Sequence, residues 1–320
     1  MLFLSVQKIL LVVGLVIVVL LSFIVFYEKD HFQSQSKEEF LEQVKIGQDK
    51  FHTPTVNGEK IEANAYLVLP FSKEDAQKGN IKIAEGWLYN FNEYSIHGME
   101  VHTAVDFGAP YGTIIYAPAD GYAMSSYYNL FAKDRNKKTI THEGKEIKYG
   151  LGLFVRIYIP SNNRFVDLAH LSEINESIPF SESEFDEEEK IWKSTNEKVL
   201  VKDIPSNPNW VKVSKGQILG KVGTSGLGWG YEDFQGRPER KITFDPKVSV
   251  SWDEPHLHFE EFSQIEKPQE GEEEGQKVAP RDILGIYSFS KNYPNLNQKL
   301  DQRFKPLILI SKDGTPLFAR

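Results

Sequence analysis

The stretch "PHLHFEEF" (Pro255–Phe262) places two of the chain's eight histidines on either side of one leucine. In an extended strand, residues two apart point to the same side. His256, His258 and Glu260 then share one face, and Leu257 and Phe259 the other. Taken alone, this alternation reads equally as a half-buried strand with a polar outer face. "VHTAVDF" (Val101–Phe107) repeats the pattern. His102, Ala104 and Asp106 face one way, against Val101, Thr103, Val105 and Phe107. Ala104 is small enough to leave room for an ion between its neighbours. By itself the pair also fits an exposed strand. His170 ends "RFVDLAH", where Val166, Leu168 and His170 alternate with Phe165, Asp167 and Ala169. A lone histidine there reads as a hydrogen-bonded core residue. His97, in "SIHGME", has Val101 four positions on, which cannot bind a metal, so it reads as a loop histidine. His31, His52 and His142 have no partner pattern and read as surface residues.

Together these residues make a chemical set. His102, Asp106 and His258 supply two imidazoles and a carboxylate. Such a set holds one zinc ion per chain and leaves its fourth position to water, the arrangement of a catalytic site. His170 and His256 are then the groups for proton transfer and for stabilising an oxyanion.

Composition limits the alternatives. The chain has no cysteine, which excludes disulfides, thiolate zinc sites and a cysteine nucleophile. Its 40% apolar and 26% charged residues suit a domain with a real core. The net charge of −8 gathers partly in "SESEFDEEEK" (Ser181–Lys190) and "EGEEEG" (Glu270–Gly275). No basic stripe is present, so nucleic acid is not an expected partner.

The elements that must position the site follow an apolar leader. Ile9–Tyr27 carries no charge and is long enough to span a bilayer as a helix. It predicts a single-pass anchor, with residues 1–8 cytoplasmic and the rest outside. The polar segment 28–54 reads as a stalk. Residues 55–290 read as an all-β domain, sandwich or barrel, made of short strands and turns. "LFVRIYIP" and "RFVDLAHL" form a hairpin around "SNN", and "VKVSKGQILGKVG" gives two short strands around a Lys-Gly turn. "AYLVLPF" and "IKIAEGWLY" also read as strands. Residues 173–210 and 227–254 look like insertions acting as lids or binding loops. The extension 291–320 contains a hairpin signal at Asp313-Gly314.

The order "HTAVD", "DLAHLS", "VKVSKGQILGKVGTSG", "PHLHFE" resembles the lysostaphin-type zinc metalloendopeptidases, which cut peptide bonds of bacterial peptidoglycan. The resemblance runs roughly from His97 to Phe262 and is interrupted by the two insertions. It implies a compact antiparallel β structure, the duplicated hybrid motif. It implies zinc on His102, Asp106 and His258, with His170 and His256 catalytic. In the family's arrangement His256 stands beside the water and His170 at the oxyanion. Glu260 is either a support for the ligands or a salt-bridged strand residue. Ala104 replaces a usual glycine, and Leu168 a usual tyrosine. The implied partners are peptidoglycan peptides and, through the anchor, the membrane. Two other readings stand beside this one: a catalytically silent wall-binding module that activates another hydrolase, and a zinc peptidase acting on a protein or secreted peptide.

Overall fold

The computed structural model describes chiefly residues 64–86, 104–131, 148–181, 199–226, 255–265, 277–284 and 306–320, together with the short strands named below. The expected anchor and stalk, and with them His31, His52, His97 and His102, lie outside the described residues. Among the described residues no helix is long and apolar enough to cross a membrane.

The strands are, in chain order, β1 (Thr55–Val56), β2 (Glu59–Lys60), β3 (Lys82–Glu85), β4 (Val105–Gly108), β5 (Ile114–Tyr116), β6 (Gly121–Phe131), β7 (Thr141–His142), β8 (Lys145–Glu146) and β9 (Lys148–Ile159). They continue as β10 (Arg164–Ile174), β11 (Ser183–Asp186), β12 (Ile191–Ser194), β13 (Val211–Val213), β14 (Ile218–Val222), β15 (Gly228–Trp229), β16 (Val250–Ser251), β17 (His256–Ile265) and β18 (Lys277–Arg281). Among the described residues one short helix, α1 (Lys73–Gln77), and one 3-10 segment (Val201–Ser206) accompany them. Strand pairings are antiparallel throughout. The described residues are mostly antiparallel sheet, consistent with the expected all-β class. A ten-stranded sheet runs β13-β6-β9-β10-β17-β4-β3, with β14 paired to β10 and β5, and β18 to β17.

Alternation along the central strands gives this sheet two different faces. Val155, Ile157, Val166, Leu168, Leu257, Phe259, Val105 and Phe107 point into the main core. The residues between them turn the other way. Phe154, Tyr158, Phe165, Ala169 and Phe262 join a second cluster with Met124, Ile204 and Trp210. Burying each large apolar side chain contributes about 1.5–3 kcal/mol, so the two faces fix strand register strongly. The β9–β10 turn closes through Asn163 at φ 50°, a conformation that asparagine adopts at little cost.

Three expectations are refined. β13 and β14 flank the Lys215-Gly216 turn as expected, but they part there: β13 pairs with β6, and β14 with β10 and β5. "AYLVLPF" makes isolated bridges, Leu67 to Ile308 and Leu69 to Phe318, where a strand was expected. Segment 173–210 is more structured than a loop. It contains the β11–β12 hairpin and the 3-10 segment, and it packs Ile204 and Trp210 on the second face. In the tail, Ser311–Thr315 turns at Gly314 (φ 88°), and Leu307 and Ile308 enter the main core.

Candidate metal centre and catalytic histidines

β17 lies between β4 and β10, and this order assembles the site. His258 is the cross-strand partner of Asp106 on one side and of Ala169 on the other. His256 is opposite Gly108. Because β17 runs without a bulge along these residues, His256, His258 and Glu260 share the face that Leu257 and Phe259 avoid. Asp106 Oδ1 lies 3.1 Å from His258 Nδ1, and Oδ2 lies 3.6 Å from His256 Nε2. Glu260 Oε2 is 3.7 Å from His258 Nε2. The ring of His170 meets those of His256 and His258 edge-on, with centroids 4.8 and 5.5 Å away. Four of the five expected site residues are therefore together. The fifth, His102, lies outside the described residues.

His170 reaches this cluster by a device that simple alternation does not contain. In the β9–β10 ladder, Leu168 pairs with Val155 and Leu171 with Leu153. Two residues, Ala169 and His170, stand opposite the single residue Phe154. This is a β-bulge, which adds a residue and re-aims a side chain. The expected alternation would have sent His170 to the main core with Val166 and Leu168. The bulge instead leaves Leu171 in that core and turns His170 to the histidines. His170 takes φ 62°, the left-handed region, at a cost of about 1–3 kcal/mol. Its Nδ1 lies 2.9 Å from the carbonyl oxygen of Ser225. A carbonyl only accepts, so Nδ1 carries the proton.

Burial shapes the electrostatics. It pushes His170 well below the usual histidine range, helped by the charges of His256 and His258. His258 is also penalised by burial, but hydrogen bonding to Asp106 and Glu260 outweighs this and pushes it up to about 10. The carboxylates of Asp106 and Glu260 thus favour positive charge at the His258 ring. Two ligand atoms about 2.0–2.1 Å from one tetrahedral zinc lie roughly 3.3 Å apart, and the 3.1 Å separation matches that spacing. Among the described residues no three such groups gather to hold a metal. Asp106 and His258 fit two positions of the expected zinc set.

Beside the histidines the same face carries a charged row. Asp167 is the partner of Glu260 on β17 and of Arg156 on β9. Arg156 grips Asp167 with two hydrogen bonds of 2.8 Å and lies over the rings of Phe154 and Phe262. Beyond it Phe262 stacks on Phe165, and Trp210 meets Phe165 edge-on. The segment that ends at Trp210 therefore covers this end of the face. Sequence reading assigned no role to Arg156, Asp167 or Ser225. Ser225 stood inside a quoted motif, "GTSG", but nothing in its type marked it as a partner of His170.

No family model matches the chain, and no curated protein matches it at a significant level. Solved structures do. Csd3 of Helicobacter pylori aligns over 62% of this chain and 30% of its own, at 18% identity and TM-score 0.29. A zinc-containing peptidase from Vibrio cholerae aligns over 62% and 37%, at 18% identity and TM-score 0.28. The catalytic domain of the antimicrobial peptidase lysostaphin from Staphylococcus simulans aligns over 60% and 85%, at 17% identity and TM-score 0.25. The chain spans well under half of the Helicobacter and Vibrio proteins. At these values the likeness assigns no role to individual residues.

Proposed function

We propose that this chain is a zinc-dependent endopeptidase that hydrolyses peptide bonds of peptidoglycan. Its domain is built on the duplicated hybrid motif and held outside the cytoplasm by an anchor at residues 9–27. The observation that carries the reading is the convergence of buried Asp106, His170 and His256 and half-buried His258 from three neighbouring strands onto one cluster.

His102, Asp106 and His258 would hold the ion. When bound, zinc supplies Lewis acidity toward a scissile carbonyl and a water molecule. The histidines do the proton work. Neutral His170, with Nδ1–H committed to Ser225, presents Nε2 as an acceptor. It can take a proton there, and once protonated it can donate a hydrogen bond to a developing oxyanion. His256 Nε2 lies 3.6 Å from Asp106 Oδ2. The open Nε2 of His170 assigns the base to that residue and leaves the donor's part to His256, the reverse of what the family resemblance implies. The Ser225 contact supports the reversal.

The test is digestion of purified peptidoglycan by the full-length protein in detergent, with and without a strong chelator, beside a panel of unrelated peptides. Chelator-sensitive release of new amino groups from the wall is expected. A protein that binds wall but releases nothing would be the silent module, and cleavage of the panel alone would mark a peptidase of proteins or secreted peptides. The anchor is checked by sedimentation: the protein should stay with membranes through a high-salt wash, and a soluble form beginning near Glu28 would show cleavage instead.

A further inference from the structure

We infer that Ser225 is a positioning residue for His170, and that through its hydroxyl and its carbonyl it fixes both the bulge that delivers this histidine and the tautomer in which it acts. The inference rests on the reading of His170 as catalytic.

The buried Ser225 hydroxyl bridges the strand pair at which the ladder resumes after the bulge. Leu153 N–H donates to Ser225 Oγ at 2.9 Å, and Ser225 Oγ donates to the carbonyl oxygen of Leu171 at 2.7 Å. Leu153 and Leu171 are cross-strand partners. Their pairing is therefore completed by a hydroxyl that reaches in from another segment, where an uninterrupted ladder would pair backbone to backbone. The carbonyl of the same residue receives His170 Nδ1–H at 2.9 Å. One residue thus ties down both sides of the bulge and the imidazole that the bulge projects.

The close approach this needs is built in. Gly152 sits at φ 58°, and a Cβ there would lie 2.3 Å from the Ser225 carbonyl carbon and 2.5 Å from its hydroxyl. Gly226 sits at φ 76°, and a Cβ there would lie 2.3 Å from the Gly150 carbonyl oxygen. The Gly226 carbonyl in turn accepts from Gly150 N–H at 3.0 Å. The turn is thus clamped onto β9 from both sides. None of these groups is placed to bind the metal. Their effect reaches the reaction through the ring plane and tautomer of His170, in the way that hydrogen bonds behind a functional imidazole set its reactive nitrogen.

The experiment uses full-length protein in detergent, labelled with 15N-histidine, with the His170 signals assigned by their loss in His170→Gln. Wild-type His170 should be the neutral Nδ1–H tautomer. Ser225→Ala keeps the carbonyl but removes the hydroxyl that ties this turn to Leu153 and Leu171, so the carbonyl should shift from Nδ1 and a mixture of tautomers should appear, while zinc stays near one per chain. On a soluble muropeptide, Ser225→Ala should lower kcat roughly 10- to 100-fold, the scale of lost outer-shell support, with KM changed less than about 3-fold. In a His170→Ala background the same substitution should add less than about 2-fold, because the two residues act as one unit. An Nε2–H tautomer in the wild type would overturn the inference, and that result stands even if Ser225→Ala fails to fold. So would an unchanged tautomer in Ser225→Ala, loss of zinc, or fully additive losses. If the wild type hydrolyses no muropeptide, the functional reading fails, and the tautomer pair still decides whether Ser225 orients His170.

Discussion

His258 and Asp106 hold each other at 3.1 Å, and the role given to that pair separates metal ligands from proton carriers. In the proposed zinc set, His258→Ala removes one of three protein donors, so bound zinc and activity should fall together. Zinc per chain, measured after gel filtration, checks this. Full occupancy in the variant would point to another ligand set, with His97 first to re-examine. His170→Ala and His256→Ala should behave differently. Each should keep zinc near wild-type occupancy and lower kcat by a factor on the order of 10² or more. Their losses should not add, because both serve one bond-making step. The competing reading of His170 as a packed strand-end residue gives a lower Tm and a nearly unchanged kcat. Measuring zinc content, Tm and kcat on the same two proteins separates the two.

Elements decide which of these residues a sequence can reveal. β17 carries no bulge between His256 and Phe262, so a period of two places its histidines on one face and its apolar residues in the core. β4 is read the same way: Val105 and Phe107 enter the core while Asp106 turns to the site. β10 is not, because a period of two cannot announce an added residue. What holds the bulge is Ser225, more than fifty residues away in sequence, and a glycine on the neighbouring strand. A test at this scale is Gly152→Ala. A left-handed alanine costs about 1–2 kcal/mol, and its Cβ would also press on the Ser225 carbonyl at 2.4 Å from the oxygen. Urea unfolding should show a loss of about 2 kcal/mol or more, accompanied by a fall in kcat. A variant as stable and as active as the wild type would mean that the turn can shift away without disturbing the bulge. Segment 173–210 is less legible for a related reason. Ile204 and Trp210 join a cluster with residues of β10 and β17, and no local period in the segment marks that packing.

At the scale of the whole molecule, a charge network on the other side of the sheet ties together parts of the chain that lie far apart in sequence. Glu260 and Glu261 are adjacent, yet alternation sends the first to the site and the second into the interior. Glu261 is fully buried. It accepts two hydrogen bonds from Arg164 at 2.7 and 2.8 Å, two from Arg281 at 3.0 and 2.5 Å, and one from Tyr66 at 2.5 Å. The network joins β10, β17, β18 and the segment before α1. Removing its carboxylate charge would leave two guanidinium groups facing each other across a neutral amide. Glu261→Gln should therefore destabilise the fold by about 3–5 kcal/mol at pH 7. The acid response fixes the sign further. Burial alone would raise the pKa of Glu261, but the two arginines outweigh it and hold it below the usual carboxylate value. A depressed native pKa means that the unfolded chain binds the proton first as pH falls. The stabilisation is then present above about 4.5 and is lost progressively below it. Glutamine cannot titrate, so the stability gap between wild type and Glu261→Gln should narrow as pH is lowered from 7 toward 3. Urea unfolding at several pH values measures that gap. A gap that stays constant across the range would show that the arginines are compensated by other groups and that Glu261 is not the charge holding these strands together.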